Sequence, residues 1–190
     1  GKLQPVEYQY KNNILNIKLD KTYQRNEDYT LYIKYTARPN QVQSGDGENM
    51  EKGLYFINPK GENPYIPTQI WTQGETESSS AWFPTIDKPN QKTTQEIYIS
   101  VPDKFVTLSN GLLKSSQKDG NIRTDHWVMD KRHSPYLFFM GVGEYAIVKD
   151  KWRNIDVDYY VEKEYEPYAT QTFGNTPEMM EFFSKLLKYD

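Results

Sequence analysis

The sequence has no cysteine and only two histidines, His126 and His133. The first absence excludes disulfides and thiolate metal sites, and it leaves the compartment open. A basic excess is also missing: 23 Lys and Arg face 26 Asp and Glu, for a net charge of −3. Nucleic-acid surfaces are basic and clustered, so nucleic acid is not an expected partner. No apolar run approaches the roughly twenty residues a membrane-spanning helix needs, and no signal peptide is recognisable. No glycine loop of the phosphate-cradling kind is present. Gly141-x-Gly143 lies in an apolar run and reads as a bend or a close backbone approach.

Familiar catalytic patterns are missing too. Ser78-Ser79-Ser80 has no Gly-x-Ser-x-Gly elbow and no nearby histidine, which argues against a nucleophilic serine. No His-Glu-x-x-His motif occurs, and no acidic cluster has metal-ligand spacing. His126 and His133 are seven apart, so on a strand they face opposite sides and chelate poorly. Asp156 and Asp158 alternate with apolar residues and read as a solvated strand face. Taken alone, the chain carries no catalytic machinery.

Aromatic residues are abundant, at 15% of 190 residues, led by 16 tyrosines. Most sit in alternating runs, where Tyr, Phe and Trp suit a pleated, half-buried surface. Residues 29–35 place Tyr29, Leu31, Ile33 and Tyr35 on one face. The same period marks 97–101 and 155–161. Shorter candidates are 6–10, 14–19, 106–109, 112–115, 126–129, 137–142 and 145–148. Asn12-Asn13, Asn110-Gly111 and Asp119-Gly120 supply turn signals. Many short strands with frequent turns predict an all-β fold, an antiparallel sandwich or saddle-shaped pair of sheets. Residues 39–67 read as a long Gly-, Asn- and Pro-rich loop with one apolar island, Gly53-Leu54-Tyr55-Phe56-Ile57.

The character changes near the end. Thr176-Pro177-Glu178 reads as an N-cap, a proline at the first helical position and an acid in the first turn. Met179, Met180, Phe183, Leu186 and Leu187 follow at helical spacing on one face. That face needs a partner surface, so the chain is read as cut from a longer protein. A further helical turn is expected near 164–172.

One polar stretch remains: "WTQGETESSSAWFPTIDKP", residues 71–89. It sets Gln73 and Glu75 between two tryptophans, on one side of a short extended segment. A carboxylate and an amide so placed can hold an ammonium and a neighbouring carbonyl. The plain alternative is a solvated loop, and the residues alone leave both open.

Thr72-Gln73-Gly74-Glu75, then Trp82-Phe83-Pro84-Thr85-Ile86-Asp87-Lys88-Pro89 and Lys92, resembles the N-terminal domain of the M1 (gluzincin) zinc aminopeptidases. That family has a Thr-Gln-x-Glu segment followed at this spacing by Phe-Pro-x-x-Asp-x-Pro and a lysine. Gly53-Leu54-Tyr55-Phe56, Val101-Pro102 with Ser109-Asn110-Gly111, Pro135-Tyr136-Leu137 through Val142-Gly143, and Thr176-Pro177-Glu178-Met179 agree in order. The resemblance covers about Tyr29 to the end. It departs at Ser80, where members commonly carry arginine, and at Lys88, where they commonly carry an acid, which puts the family's local salt-bridge arrangement in doubt here but not the fold.

The resemblance implies a β domain over 1–175, with its first strands missing, and the first helix of a thermolysin-like catalytic domain over 176–190. It implies that Gln73 lines the first subsite and that Glu75 helps bind the substrate's free α-amine. The parent activity would be zinc-dependent removal of N-terminal residues from peptides, with the catalytic domain of the same chain as partner. Zinc would be held outside this chain, because the family's His-Glu-x-x-His and Gly-x-Met-Glu-Asn motifs are absent here. Competing readings are a stand-alone β-sandwich module binding carbohydrate or protein, and an interaction domain sharing the fold without catalysis. The isolated chain is predicted neither to retain stoichiometric zinc after dialysis nor to cleave aminoacyl substrates. Turnover that follows the chain through purification contradicts this.

Overall fold

The computed structural model describes residues 3–41 and 53–189. Part of the loop expected over 39–67 therefore lies outside the described residues. The chain divides into two compact units, Gly1–Thr36 and Ala37–Asp190.

In the first unit, β1 (Glu7–Lys11) and β2 (Ile14–Lys18) form an antiparallel hairpin. Asn12 and Asn13 both take positive φ, 52° and 60°, as a tight two-residue turn between twisted strands requires. The strand expected over 29–35 does not form a ladder. Alternation specifies two faces of an extended chain; a strand also needs a partner backbone, and the sequence pattern does not supply one.

The second unit contains β3 (Leu54–Ile57), β4 (Gln69–Thr72), β5 (Thr93–Pro102), β6 (Val106–Ser109), β7 (Leu112–Asp119), β8 (Ile122–His133), β9 (Met140–Gly143), β10 (Tyr145–Trp152) and β11 (Ile155–Glu162). Two helices follow, α1 (Glu166–Phe173) and α2 (Thr176–Leu187). Every strand pair among the described residues is antiparallel. One sheet runs β3-β4-β9-β6, a second β5-β8-β7, and β10-β11 is a separate hairpin. The all-β expectation with a trailing helix holds.

The two larger sheets pack face to face. Ile99 and Val101 of β5 and Trp127 of β8 are buried against Val142 of β9, with Ile70, Leu108 and Met140 packed around them. Each such side chain stabilises by about 1.5–3 kcal/mol when fully covered. Asn110-Gly111 links β6 to β7 and so passes between sheets instead of closing a hairpin. A Cβ at Gly111 would lie 1.9 Å from the Val128 carbonyl oxygen, and its φ is +84°, so glycine is required there.

A polar network crosses the same interface. Asp125 on β8 is buried and accepts hydrogen bonds from Thr107 Oγ1 of β6 and Ser116 Oγ of β7, each at 2.6 Å. Arg123 Nε donates to Asp125 Oδ1 at 2.9 Å, and Nη2 donates to Oδ2 at 2.9 Å and to the Phe105 carbonyl at 2.6 Å. Trp127 Nε1 donates to Thr107 Oγ1 at 3.1 Å. Burial pushes the Asp125 carboxyl up, but hydrogen bonds from Arg123, Ser116 and Thr107 outweigh it and leave it below the usual carboxylate range.

The helices pack on the β10-β11 hairpin. Glu181 of α2 accepts from Trp152 Nε1 and Arg153 Nε, both at 2.9 Å. Arg153, Trp152 and Lys185 together hold its carboxyl at about 2. Thr176 is the first helical residue rather than the cap; its hydroxyl turns back to the Phe173 carbonyl, 2.6 Å away. α2 ends at Leu187, where Lys188 adopts a left-handed φ of 53° and the Tyr189 amide donates to the Ser184 carbonyl. Met179, Phe182, Phe183, Leu186 and Leu187 are exposed, and Met180 is half-buried.

Removing Asp125 takes the acceptor from Thr107 and Ser116 and one of two carboxylates from Arg123, which keeps Asp103 and the Phe105 carbonyl. Asp125→Ala is predicted to cost about 1–3 kcal/mol in urea denaturation at pH 7. The pH dependence follows from the same bonds. Asp125 and Glu181 have folded pKa values below their unfolded ones, so each stabilises above its ordinary value and loses that contribution as pH falls through the lowered one. Stability should decline progressively below about pH 4. Asp125→Asn should flatten that decline, as read from denaturation midpoints at pH 7 and pH 3.

Candidate functional site

The Gln73–Glu75 segment leaves the sheet at the end of β4. Thr72 is buried and pairs with Leu54 of β3; its hydroxyl accepts from the Met140 amide at 2.9 Å. The Gln73 amide donates to the Gly53 carbonyl at 3.0 Å. Past Gly74 the chain turns instead of staying extended. The Ser78 amide donates to the Gly74 carbonyl at 2.9 Å, and Ser79–Ala81 forms a short 3-10 helix. The Glu75–Thr76 peptide bond is cis. Gln73 and Glu75 are both exposed, and the Gln73 side-chain oxygen lies 3.4 Å from the Glu75 amide that donates to it. Among the described residues, the Glu75 carboxylate pairs with no cation and accepts no hydrogen bond.

The support beneath this turn is backbone against backbone. A Cβ on Gly74 would stand 2.6 Å from the Tyr136 carbonyl oxygen and 2.8 Å from its Cα. Only glycine permits that approach. Ser79 is fully buried, and its hydroxyl donates to the Pro135 carbonyl at 2.8 Å. Its own carbonyl accepts from the Trp82 and Phe83 amides at 3.1 and 3.2 Å. Pro135–Leu137 is itself a 3-10 turn, and the Ser134 hydroxyl donates to the Pro89 carbonyl at 2.5 Å.

The aromatic frame of the sequence is a set of ring contacts. Trp71 stacks on its cross-strand neighbour Tyr55 at 4.4 Å between centroids. Trp82 meets Phe83 edge-on at 4.5 Å, Phe83 stacks on Phe138 at 5.0 Å, and Phe138 stacks on His133 at 4.5 Å. Such pairs add about 0.5–1.5 kcal/mol each beyond the area they bury. Ser80 and Lys88 each have a polar partner in this segment. Lys88 Nζ pairs with Glu77 at 2.6 Å, and the Ser80 amide donates to Asp87 Oδ2 at 2.8 Å.

The remaining sequence candidates have ordinary roles. His126 stacks on Tyr98 and faces Glu96 Oε2 at 3.2 Å. His133 is buried against Phe138, with Gln95 Oε1 and the Lys131 carbonyl at its ring nitrogens. Asp156 and Asp158 pair with Lys151 and Lys149. Among the described residues, no three His, Cys, Asp or Glu side chains converge to hold a metal ion. None of the described helices is long and apolar enough to cross a membrane.

The sequence reading missed Ser79 and Tyr136 as the support of the turn. The one available signal was Gly74, a glycine in mid-motif where no turn type demanded it.

The chain matches the peptidase M1 N-terminal domain over residues 1–137. It belongs to that family. It is 26% identical over 113 residues to a probable aminopeptidase 2 of Sulfurisphaera tokodaii, covering 59% of this chain and 14% of that protein. It is also 24% identical over 139 residues to transcription initiation factor TFIID subunit 2 of Danio rerio, and 22% identical over 139 residues to that of Gallus gallus. Each match covers 71% of this chain and 12% of the relative. The chain thus spans a small fraction of the curated relatives it matches.

Gly74→Ala must push two backbones apart. It is predicted to cost about 1–3 kcal/mol in thermal or urea denaturation. Lys88→Ala, which removes an exposed ion pair, should change stability by less than about 1 kcal/mol.

Proposed function

We propose that this chain is the N-terminal domain of a zinc aminopeptidase that removes N-terminal residues from peptides. In this reading the domain caps the active site and anchors the substrate α-amine; it performs no catalysis itself. The observation that carries the reading is the exposed Glu75 carboxylate, left without a partner among the described residues, on a turn whose backbone is clamped to residues 134–138. An unpaired carboxylate keeps its hydrogen-bonding capacity for an incoming ammonium. Fixed backbone beneath it is what positioning requires. Membership of the M1 N-terminal family and the match to a probable aminopeptidase support the same direction.

Zinc and its ligands belong to the rest of the parent protein, as does the general base. The exposed apolar residues of α2 fit a helix that begins the catalytic domain and is covered by it. The matches to a TFIID subunit favour a second reading, an interaction domain without peptidase activity. The gene sequence beyond Asp190 discriminates: Gly-x-Met-Glu-Asn followed by His-Glu-x-x-His supports the peptidase.

In the full-length protein, Glu75→Gln is predicted to cost about 2–4 kcal/mol of transition-state binding, or roughly 30- to 1000-fold in kcat/KM. Gln73→Ala should cost less, because it removes a neutral contact. Neither should change the melting temperature appreciably, since both side chains are exposed. A kcat/KM for Glu75→Gln within about twofold of wild type, measured on an aminoacyl reporter, sinks the proposal.

A further inference from the structure

We infer that Ser79 is a positioning residue for the amine anchor, an inference that rests on the function proposed above. Ser79 has no exposed surface and joins three segments through side chain and backbone. Its hydroxyl donates to the Pro135 carbonyl at 2.8 Å. That carbonyl also accepts from the Phe138 amide at 3.0 Å, so the acceptor is itself fixed within the 3-10 turn Pro135–Leu137. The Ser79 carbonyl holds the Trp82 and Phe83 amides, which ties it to the aromatic frame.

On the other side, the Ser79 hydroxyl lies where a Gly74 side chain would begin: a Cβ there would be 2.5 Å from Ser79 Oγ. Gly74 stands between Gln73 and Glu75. The hydroxyl therefore spans the gap between the Pro135–Leu137 turn and the one residue that separates the two proposed substrate contacts. A serine hydroxyl has one proton to donate, and this one is committed to Pro135. Without it the Pro135 carbonyl keeps one backbone donor, and residues 74–79 lose their side-chain hydrogen bond to the Pro135–Leu137 turn, while Thr72 and Phe83 keep their contacts with Phe138 on either side. The carboxylate itself is unchanged, but its position relative to the amine is no longer fixed. Misplacement of a contact by a fraction of an ångström weakens it without removing it.

The test uses the full-length protein and two inhibitors that share one zinc-binding group, one with a free α-amine and one N-acetylated. The readout is the ratio of their inhibition constants. Loss of folded protein lowers active concentration and leaves that ratio unchanged; loss of amine positioning lowers the preference for the free amine. Ser79→Ala is expected to reduce the preference about fivefold, the size of one ordinary hydrogen bond, while Glu75→Gln reduces it further. Gly74→Ala displaces the same contact from the opposite side and should act in the same direction; it decides the matter if Ser79→Ala does not fold. An unchanged ratio in these variants, with Glu75→Gln still abolishing the preference, overturns the role of Ser79 and leaves the anchor standing. An unchanged ratio in Glu75→Gln removes the anchor and this inference with it.

Discussion

The backbone of Gly74 lies against the backbone of Tyr136 with no room for a side chain between them. Residues 62 positions apart are brought together here, and the geometry of the 71–89 segment follows from the contact. Because the approach is that close, the turn after β4 cannot swing outward without losing the Ser79 bond to Pro135. Because the turn is fixed, its two polar side chains leave from a defined place. A flexible loop with the same composition would spend ordering entropy each time it met a ligand.

The contact depends in turn on how the sandwich places its two parts. β4 pairs with β9 from Gln69↔Gly143 to Trp71↔Gly141, so the segment leading into β9 runs beside the segment leaving β4. Thr72 reinforces this by bonding both the Phe138 carbonyl and the Met140 amide. The second sheet supports the first through an apolar layer and through Thr107, which reaches from β6 to Asp125 on β8. A buried carboxylate is costly to desolvate, and here donors from β6, β7 and β8 meet it together. The network thus couples strand register to sheet packing.

Much of the sandwich was legible. β5 and β6 lie where period two places them, each alternating between buried and less buried residues; β10 and β11 also form at their patterned runs, but their burial does not alternate. β7 and β8 extend well beyond the patterned cores at 112–115 and 126–129, because paired hydrogen bonds carry a hairpin past its apolar residues. β4 escaped notice as a strand: all four of its residues are at least half-buried, so its burial has no two-sided alternation to mark it. Residues 29–35 erred the other way, with clear alternation and no partner strand among the described residues. The Asp125 network could not be read, because Thr107, Ser116, Arg123 and Asp125 are scattered and polar, and polar strand residues read as solvent-facing. The site was half legible. Gln73 and Glu75 stood out by residue type and motif, whereas the fixed turn beneath them depends on a partner segment that only the fold brings near.

The central claim is that Glu75 is an amine anchor held in place by the fold. The most direct test is a crystal structure of the full-length protein with a peptide-like inhibitor bearing a free α-amine. The account predicts a Glu75 carboxylate oxygen about 2.7–2.9 Å from the ammonium nitrogen, with the turn at residues 73–79 placed against residues 134–138 as it is here. An inhibitor whose ammonium is held entirely by other residues, with Glu75 left in solvent, would contradict it.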